Sequence, residues 1–339
     1  MAPKNKLGAA ERKLKTMTLS PKIDLNVFRN KINERFGTVF LPNQVECVEQ
    51  NLGGISCDFL TPEIYVSHRV ILYVHGCSFV GGSKFAYRSF CASLANASSC
   101  RAVVPDFRLA PAFPFPASVE DAFAAFEALF AQEKQARSSD AEQTQIILAA
   151  DGSGASIAIA LILQASEELK SAVNRLVLLS PWLDVSPASK TFSSKKKSDR
   201  VMSVDCLKRA AELYTYMDNR NNPLVSPLKA DFAELSRLSR FPPVYIQAGS
   251  EEILLDDAKR FQSVLNENGC KCVVDVWQGM MHLFQFADEY IEEAHVAVEK
   301  LGKIIRFGTE DSADIKASEK VKSLPGELLE SDLKNKFGL

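Results

Sequence analysis

Short apolar runs of strand length alternate with helix-length segments through most of this chain, and that alternation leaves few folds open. The strand candidates are Val70–Val74 (VILYV), Ala102–Pro105, Ile146–Ala150 (IILAA), Arg175–Leu179 (RLVLL), Val244–Ala248 and Cys272–Trp277. Between and after them lie segments with helical character: Phe85–Ala97, Val119–Gln132, Gly154–Leu169, Asp257–Glu267 and Ala287–Ile305. A strand that is apolar at every position is buried on both faces, which is the environment of a parallel sheet. Parallel neighbours also need a long crossover, and a helix supplies it. The expected fold class is therefore α/β, a mostly parallel central sheet flanked by helices. Two further runs, Gln44–Glu49 and Ile55–Leu60, precede the alternation.

Two segments fall outside this pattern. Residues 1–43 precede it and read as helical over 5–36. Residues 186–240 interrupt it with a polar stretch carrying Lys190, Lys195, Lys196 and Lys197, followed by helical segments. An insertion after a strand end is positioned to cover a site at the carboxyl edge of the sheet. The expected organisation is an N-terminal helical cap segment over 1–43, a core over 44–185, a cap or lid over 186–240, the rest of the core over 241–308, and a charged, mobile tail over 309–339. The net charge of -2 gives no reason to expect nucleic acid as a partner. No apolar run reaches membrane-spanning length, and the basic N-terminus lacks the apolar stretch of a secretory signal. Eight cysteines in a long chain without that signal are expected as free thiols. A cytoplasmic protein without metal or other cofactor is the expectation.

The residues with chemical meaning cluster at the ends of the strand candidates. After VILYV comes His75-Gly76-Cys77-Ser78-Phe79-Val80-Gly81-Gly82-Ser83. After AVVP comes Asp106-Phe107-Arg108-Leu109-Ala110-Pro111, then Phe113-Pro114-Phe115-Pro116-Ala117. After IILAA comes the turn Ala150-Asp151-Gly152-Ser153-Gly154. Ser180-Pro181-Trp182-Leu183-Asp184 follows the next strand. Ala248-Gly249-Ser250-Glu251-Glu252 leads into Leu254-Leu255-Asp256-Asp257, and Trp277-Gln278-Gly279-Met280-Met281-His282-Leu283-Phe284 closes the series.

Together these motifs resemble the hormone-sensitive-lipase-like carboxylesterases of the α/β-hydrolase fold, over roughly residues 44–305. The resemblance implies an α/β-hydrolase core with a helical cap and an ester-hydrolysing site. It implies a small ester, acid or lipid as ligand. It also implies a homodimer as one open assembly, through an edge strand near the last helix. Acyl transfer in this fold needs a serine on a tight strand-to-helix turn, backbone amides for the oxyanion, and an acid and a histidine in that chain order. By the resemblance the acid falls on Glu252 and the base on His282. The oxyanion loop falls on Gly76, Cys77 and Ser78, with the amide of Ser153 opposite.

The nucleophile is where the chain departs from the pattern. The family reads G-D-S-A-G, and Gly152 occupies the serine position. With Gly152 at the centre the flanks two residues away are Ala150 and Gly154, both small as the turn demands. With Ser153 at the centre they are Asp151 and Ala155. Ser156 has small flanks but lies a helical turn later. The oxyanion loop departs as well, because the family's second and third glycines are Cys77 and Ser78. An amide survives such a change, but the left-handed conformation glycine allows is expected to be at risk. Two readings follow: a catalytically impaired member that keeps a small-ligand pocket, and an active carboxylic-ester hydrolase that uses Ser153 with His282 and Glu252. A thiol nucleophile at Cys77 is a more remote idea.

Overall fold

The computed structural model describes residues 4–37, 41, 44–136, 143–186, 188–193, 199–238 and 241–308. The lysine run 195–197 and the tail 309–339 lie outside the described residues. In chain order the elements are α1 (Lys4–Leu14), α2 (Leu25–Phe36), β1 (Val45–Leu52), β2 (Ile55–Pro62), β3 (Arg69–Val74), α3 (Lys84–Ser98), β4 (Arg101–Pro105), α4 (Ala117–Gln135), β5 (Gln145–Asp151), α5 (Gly154–Gln164), α6 (Glu167–Ala172), β6 (Val173–Leu179), α7 (Val204–Tyr214), α8 (Phe232–Leu238), β7 (Val244–Gly249), α9 (Leu255–Glu267), β8 (Cys272–Trp277) and α10 (Glu292–Phe307).

The strands form one sheet in the order β1-β2-β4-β3-β5-β6-β7-β8. The β1–β2 and β2–β4 pairs are antiparallel, and every pair from β4 onward is parallel. The fold class read from the sequence is the one observed. Its cause is visible in β3, where Val70 to Val74 are all fully buried. Full burial of each such side chain contributes about 1.5–3 kcal/mol, and it requires cover on both faces. Helices α3 and α10 pack on one another, as do α4 and α5, to supply that cover.

Helix α5 is apolar on every side, as a helix enclosed within the protein must be. It is shorter than the sequence suggests. The chain leaves the helix at Ala165 and restarts at α6, because the Ser166 side chain accepts from the Leu169 amide and caps the new helix. Likewise the last helix begins at Glu292 rather than Ala287, after a separate 3₁₀ turn at Phe284–Ala287. The N-terminal segment is two helices rather than one. They are separated by a short turn at Lys15–Met17, and Asp24 caps the second by accepting from the amides of Asn26 and Val27.

Because β3, β5, β6, β7 and β8 run parallel, the loops that follow them emerge at one edge of the sheet. Those loops carry His75–Ser78, Gly152–Ser153, Ser180, Glu252 and His282 respectively. The topology alone therefore gathers residues that are spread over more than 200 positions of sequence.

Candidate active site

The turn from β5 into α5 is built around two glycines. At Gly154 an added Cβ would stand 2.2 Å from the carbonyl oxygen of Val74, so only glycine fits where the helix crosses β3. Gly152 has φ +45, the left-handed conformation of a nucleophile elbow. Its amide donates to the Leu179 carbonyl and its carbonyl accepts from the Trp182 amide, both at 2.9 Å. These bonds clamp the turn to the loop after β6. An added Cβ at Gly152 would meet only His282 Nε2, at 3.9 Å. The centre of the elbow thus faces the imidazole across open space.

Ser153 is held differently. Its φ and ψ, −69 and −25, are helical. Its hydroxyl oxygen accepts from the Phe79 amide at 3.0 Å, and both residues are buried. The side chain is committed to the oxyanion loop rather than turned to His282. Ser156 lies a turn later and donates to the Trp182 carbonyl at 2.5 Å.

The oxyanion loop keeps the glycine conformation without the glycines. Cys77, Ser78 and Phe79 each have φ +63. A left-handed conformation costs an ordinary residue about 1–2 kcal/mol, so surrounding contacts must hold it. The Ser153 hydroxyl holds Phe79, and the Phe79 ring stacks on Tyr214 at 3.7 Å between centroids. Gly76 donates its amide to Asp151 Oδ1 at 3.0 Å. Among the described residues the amides of Cys77, Ser78 and Ser153 make no hydrogen bond. The Cys77 thiol is buried, lies 3.4 Å from the Tyr87 hydroxyl, and is pushed to a higher pKa by burial. A protonated thiol in that setting is a poor nucleophile.

Asp151, beside the elbow, is a supporting residue that sequence reasoning passed over. It is fully buried and accepts from Tyr73 at 3.1 Å and Tyr87 at 2.9 Å as well as from Gly76. Burial pushes its pKa up to about 6, against the pull of those hydrogen bonds. Next to it His75 is stacked on Phe107, with ring centroids 4.2 Å apart. Burial lowers its pKa to about 4, with the Asp106 carboxylate opposing, so the ring is neutral at pH 7.

Glu252 and His282 come together from separate strands. Glu252 Oε2 is 3.4 Å from His282 Nδ1, slightly long for a hydrogen bond. Both side chains are buried. Burial raises the Glu252 pKa, and the neighbouring imidazole opposes that rise. Their loops are tied to one another: the Glu251 amide donates to the Met280 carbonyl at 3.0 Å, and the Gly279 amide donates to Ser250 Oγ at 2.9 Å. The Leu283 amide donates to Ser180 Oγ at 3.2 Å, which fixes the loop carrying His282 to the end of β6.

The space between these groups is small. Cys77, Ser78, Gly152, Ser153 and His282 line a cavity of about 10 Å³, together with Met17, Trp182, Met202, Leu254 and Leu283. That is room for about one water, far below the 300 Å³ or more of a ligand pocket. A glycine at the elbow would be expected to widen the pocket floor, yet the described site is nearly filled. Met17 from the N-terminal segment and Met202 from residues 186–240 are among its lining, and neither carries a sequence signal for that role. The Thr18 hydroxyl donates to the Val201 carbonyl at 3.2 Å, joining the two segments that carry these methionines.

A family profile described as the alpha/beta hydrolase fold matches residues 71–286. The chain is 30% identical over 241 residues to an acetyl-hydrolase of Streptomyces hygroscopicus, covering 71% of this chain and 76% of that protein. It is 31% identical over 242 residues to an esterase of Acinetobacter venetianus, covering 71% and 75%. A crystal structure of an esterase from the bacterial hormone-sensitive lipase family superposes with a TM-score of 0.77 at 26% identity, covering 90% of this chain and 99% of that one.

Proposed function

This chain belongs to the α/β-hydrolase fold family, in its hormone-sensitive-lipase-like esterase branch, and from that membership we propose that it is a member unable to form an acyl-enzyme. It keeps the acid, the base and the oxyanion amides of an esterase site, around a nearly filled cavity, but lacks the nucleophile. The observation that carries this reading is the pairing of orientations at the elbow. Gly152 presents its Cβ direction to His282 Nε2 at 3.9 Å, while the Ser153 hydroxyl accepts from the Phe79 amide. A base acts only on a proton within reach, and glycine offers none. The oxyanion amides and the Glu252–His282 pair are retained. An enzyme that has lost a triad member still keeps about 10³–10⁴-fold over water from such groups, so any residual ester hydrolysis is weak and does not pass through a covalent intermediate.

The test is active-site labelling. The purified protein is treated with a fluorophosphonate probe and any adduct is mapped, in parallel with Gly152→Ser and Ser153→Ala variants. The expected result is no adduct on the parent and an adduct on residue 152 of Gly152→Ser, with hydrolysis of short-chain nitrophenyl esters gained in that variant. A serine Oγ on the Cβ of residue 152 would come within the hydrogen-bond reach of Nε2, about 2.6–3.2 Å. An adduct on Ser153 of the parent overturns the proposal and establishes the active reading with Ser153, His282 and Glu252.

A further inference from the structure

We infer that a cationic cavity between the two N-terminal helices and the segment before α10 binds a phosphate monoester. The site is separate from the elbow and independent of what happens there. Three observations carry the assignment.

The first is the shape and charge of the lining. Ala9, Arg12 and Lys13 of α1, Arg35 of α2, and Tyr290 line a cavity of about 270 Å³. Small-molecule pockets begin at about 300 Å³, so the space is close to that of a ligand site. Three of the five lining residues are cations and none is an acid. Among the described residues, the only carboxylate paired with any of the three cations is Glu289, on Lys13. Three positive charges against one negative leave an excess of two. A phosphate monoester carries about −1.5 to −2 at pH 7 and matches that excess. A carboxylate would neutralise only half of it.

The second is the direction of the hydrogen bonds. Lys13 is 8% exposed, and its ammonium donates to Glu289 with further protons to spare. Arg35 donates to the Tyr290 hydroxyl oxygen, which leaves the phenol proton to donate onward. Arg12 makes no hydrogen bond or ion pair among the described residues. The polar side chains of the wall therefore offer donors, and the ligand must bring the acceptors. An arginine fork takes two phosphate oxygens at once.

The third is that the wall is held in place without a ligand. The Lys13 ammonium lies over the rings of Phe36 and Tyr290, at 5.3 and 6.0 Å, and the Arg35 guanidinium lies over Tyr290 at 5.9 Å. Phe36 in turn meets the edge of Phe286 at 6.4 Å. Two of the three cations are thus positioned in advance, which lowers the ordering cost of binding. Helix α1 also packs on the 3₁₀ turn Phe284–Ala287. A phosphate in this cavity ties α1 and α2 to the stretch that follows His282.

The test is isothermal titration calorimetry of the full chain with glycerol 3-phosphate, at constant ionic strength in chloride. The parent is expected to bind saturably at one site. Arg12→Gln and Arg35→Gln are each expected to weaken binding by about tenfold or more, through the loss of a charge-assisted contact. Both arginines are exposed, and urea unfolding equal to the parent's shows that each variant is folded. Lys303→Gln, an exposed change three turns along α10 from the cavity, is expected to keep the parent's affinity. Phosphatidic acid presents the same monoester on a lipid, so a second arm uses phosphatidylcholine vesicles with and without it. Sedimentation that requires phosphatidic acid and is lost in Arg12→Gln, with no binding of glycerol 3-phosphate, assigns the site to a lipid headgroup. Absence of saturable binding to both forms overturns the inference. So does an affinity unchanged in the Arg12→Gln, Arg35→Gln double variant, or a loss in Lys303→Gln as large as in Arg12→Gln.

Discussion

Replacing Ser153 with alanine separates a structural serine from a catalytic one. The hydroxyl oxygen accepts from the Phe79 amide at 3.0 Å, with Ser153 at 3% and Phe79 at 1% exposure. Without it the amide stays buried with no acceptor, which costs about 1–3 kcal/mol. It also releases one hold on a loop in which Cys77, Ser78 and Phe79 are all left-handed. With an unfolding entropy of about 2.1 cal/mol/K per residue, the 339-residue chain unfolds with about 0.7 kcal/mol/K. The variant should therefore melt roughly 1.5–4 °C below the parent. Differential scanning calorimetry reads the shift, and urea unfolding at 25 °C gives the free energy independently. Short-chain ester hydrolysis and fluorophosphonate labelling should be the same in parent and variant. A melting temperature equal to the parent's, or loss of labelling or hydrolysis specific to Ser153→Ala, would refute the assignment of Ser153 as a structural acceptor.

Three more outcomes follow from the same geometry. Ser78→Gly relieves a left-handed strain of about 1–2 kcal/mol, but it adds about 0.4–1 kcal/mol of unfolded-state freedom and leaves the buried Leu19 amide without its acceptor at 3.4 Å, a cost of about 1–3 kcal/mol; urea unfolding should show a net loss of about 1 kcal/mol, and Ser78→Val a larger one. Asp151 has a folded pKa of about 6 against an ordinary 3.8, so the folded state binds its proton more tightly and stability from this group is present at low pH and lost as pH rises from about 4 to 6. Asp151→Asn should therefore gain on the parent by up to about 2–3 kcal/mol across that window, as measured by denaturation at a series of pH values. Tyr214→Ala removes a buried ring stacked on Phe79 at 3.7 Å and in edge contact with Phe115 at 6.2 Å; by analogy with other large-to-small core changes it should cost about 3–5 kcal/mol in the same assay.

The fold was legible because its determinants are local and repeated. Fully apolar runs such as Val70–Val74 can lie only inside a covered sheet, and the helices between them dictate parallel crossovers. The elbow was legible as a motif, since Ala150 and Gly154 flank Gly152, and the backbone requirement at Gly154 is severe. Asp151 was harder to read, because its partners Tyr73 and Tyr87 stand 78 and 64 residues away. Segment ends were also less legible where a single cap decided them, as Ser166 does between α5 and α6.

By itself the sequence determined that the chain is an α/β-hydrolase, and it set the expectation that Gly152 stands in the nucleophile's place with Glu252 and His282 following in order. Two things were decided only by the tertiary structure. One is the direction of the Ser153 hydroxyl, because a side chain one residue from the elbow points wherever the facing loop offers a partner, and that partner is an amide 74 residues away. The other is the volume of the site. Met17 and Met202 line it from segments distant in sequence, and no pattern in a polar N-terminal stretch marks which of its side chains will be pressed into a cavity at the sheet's edge.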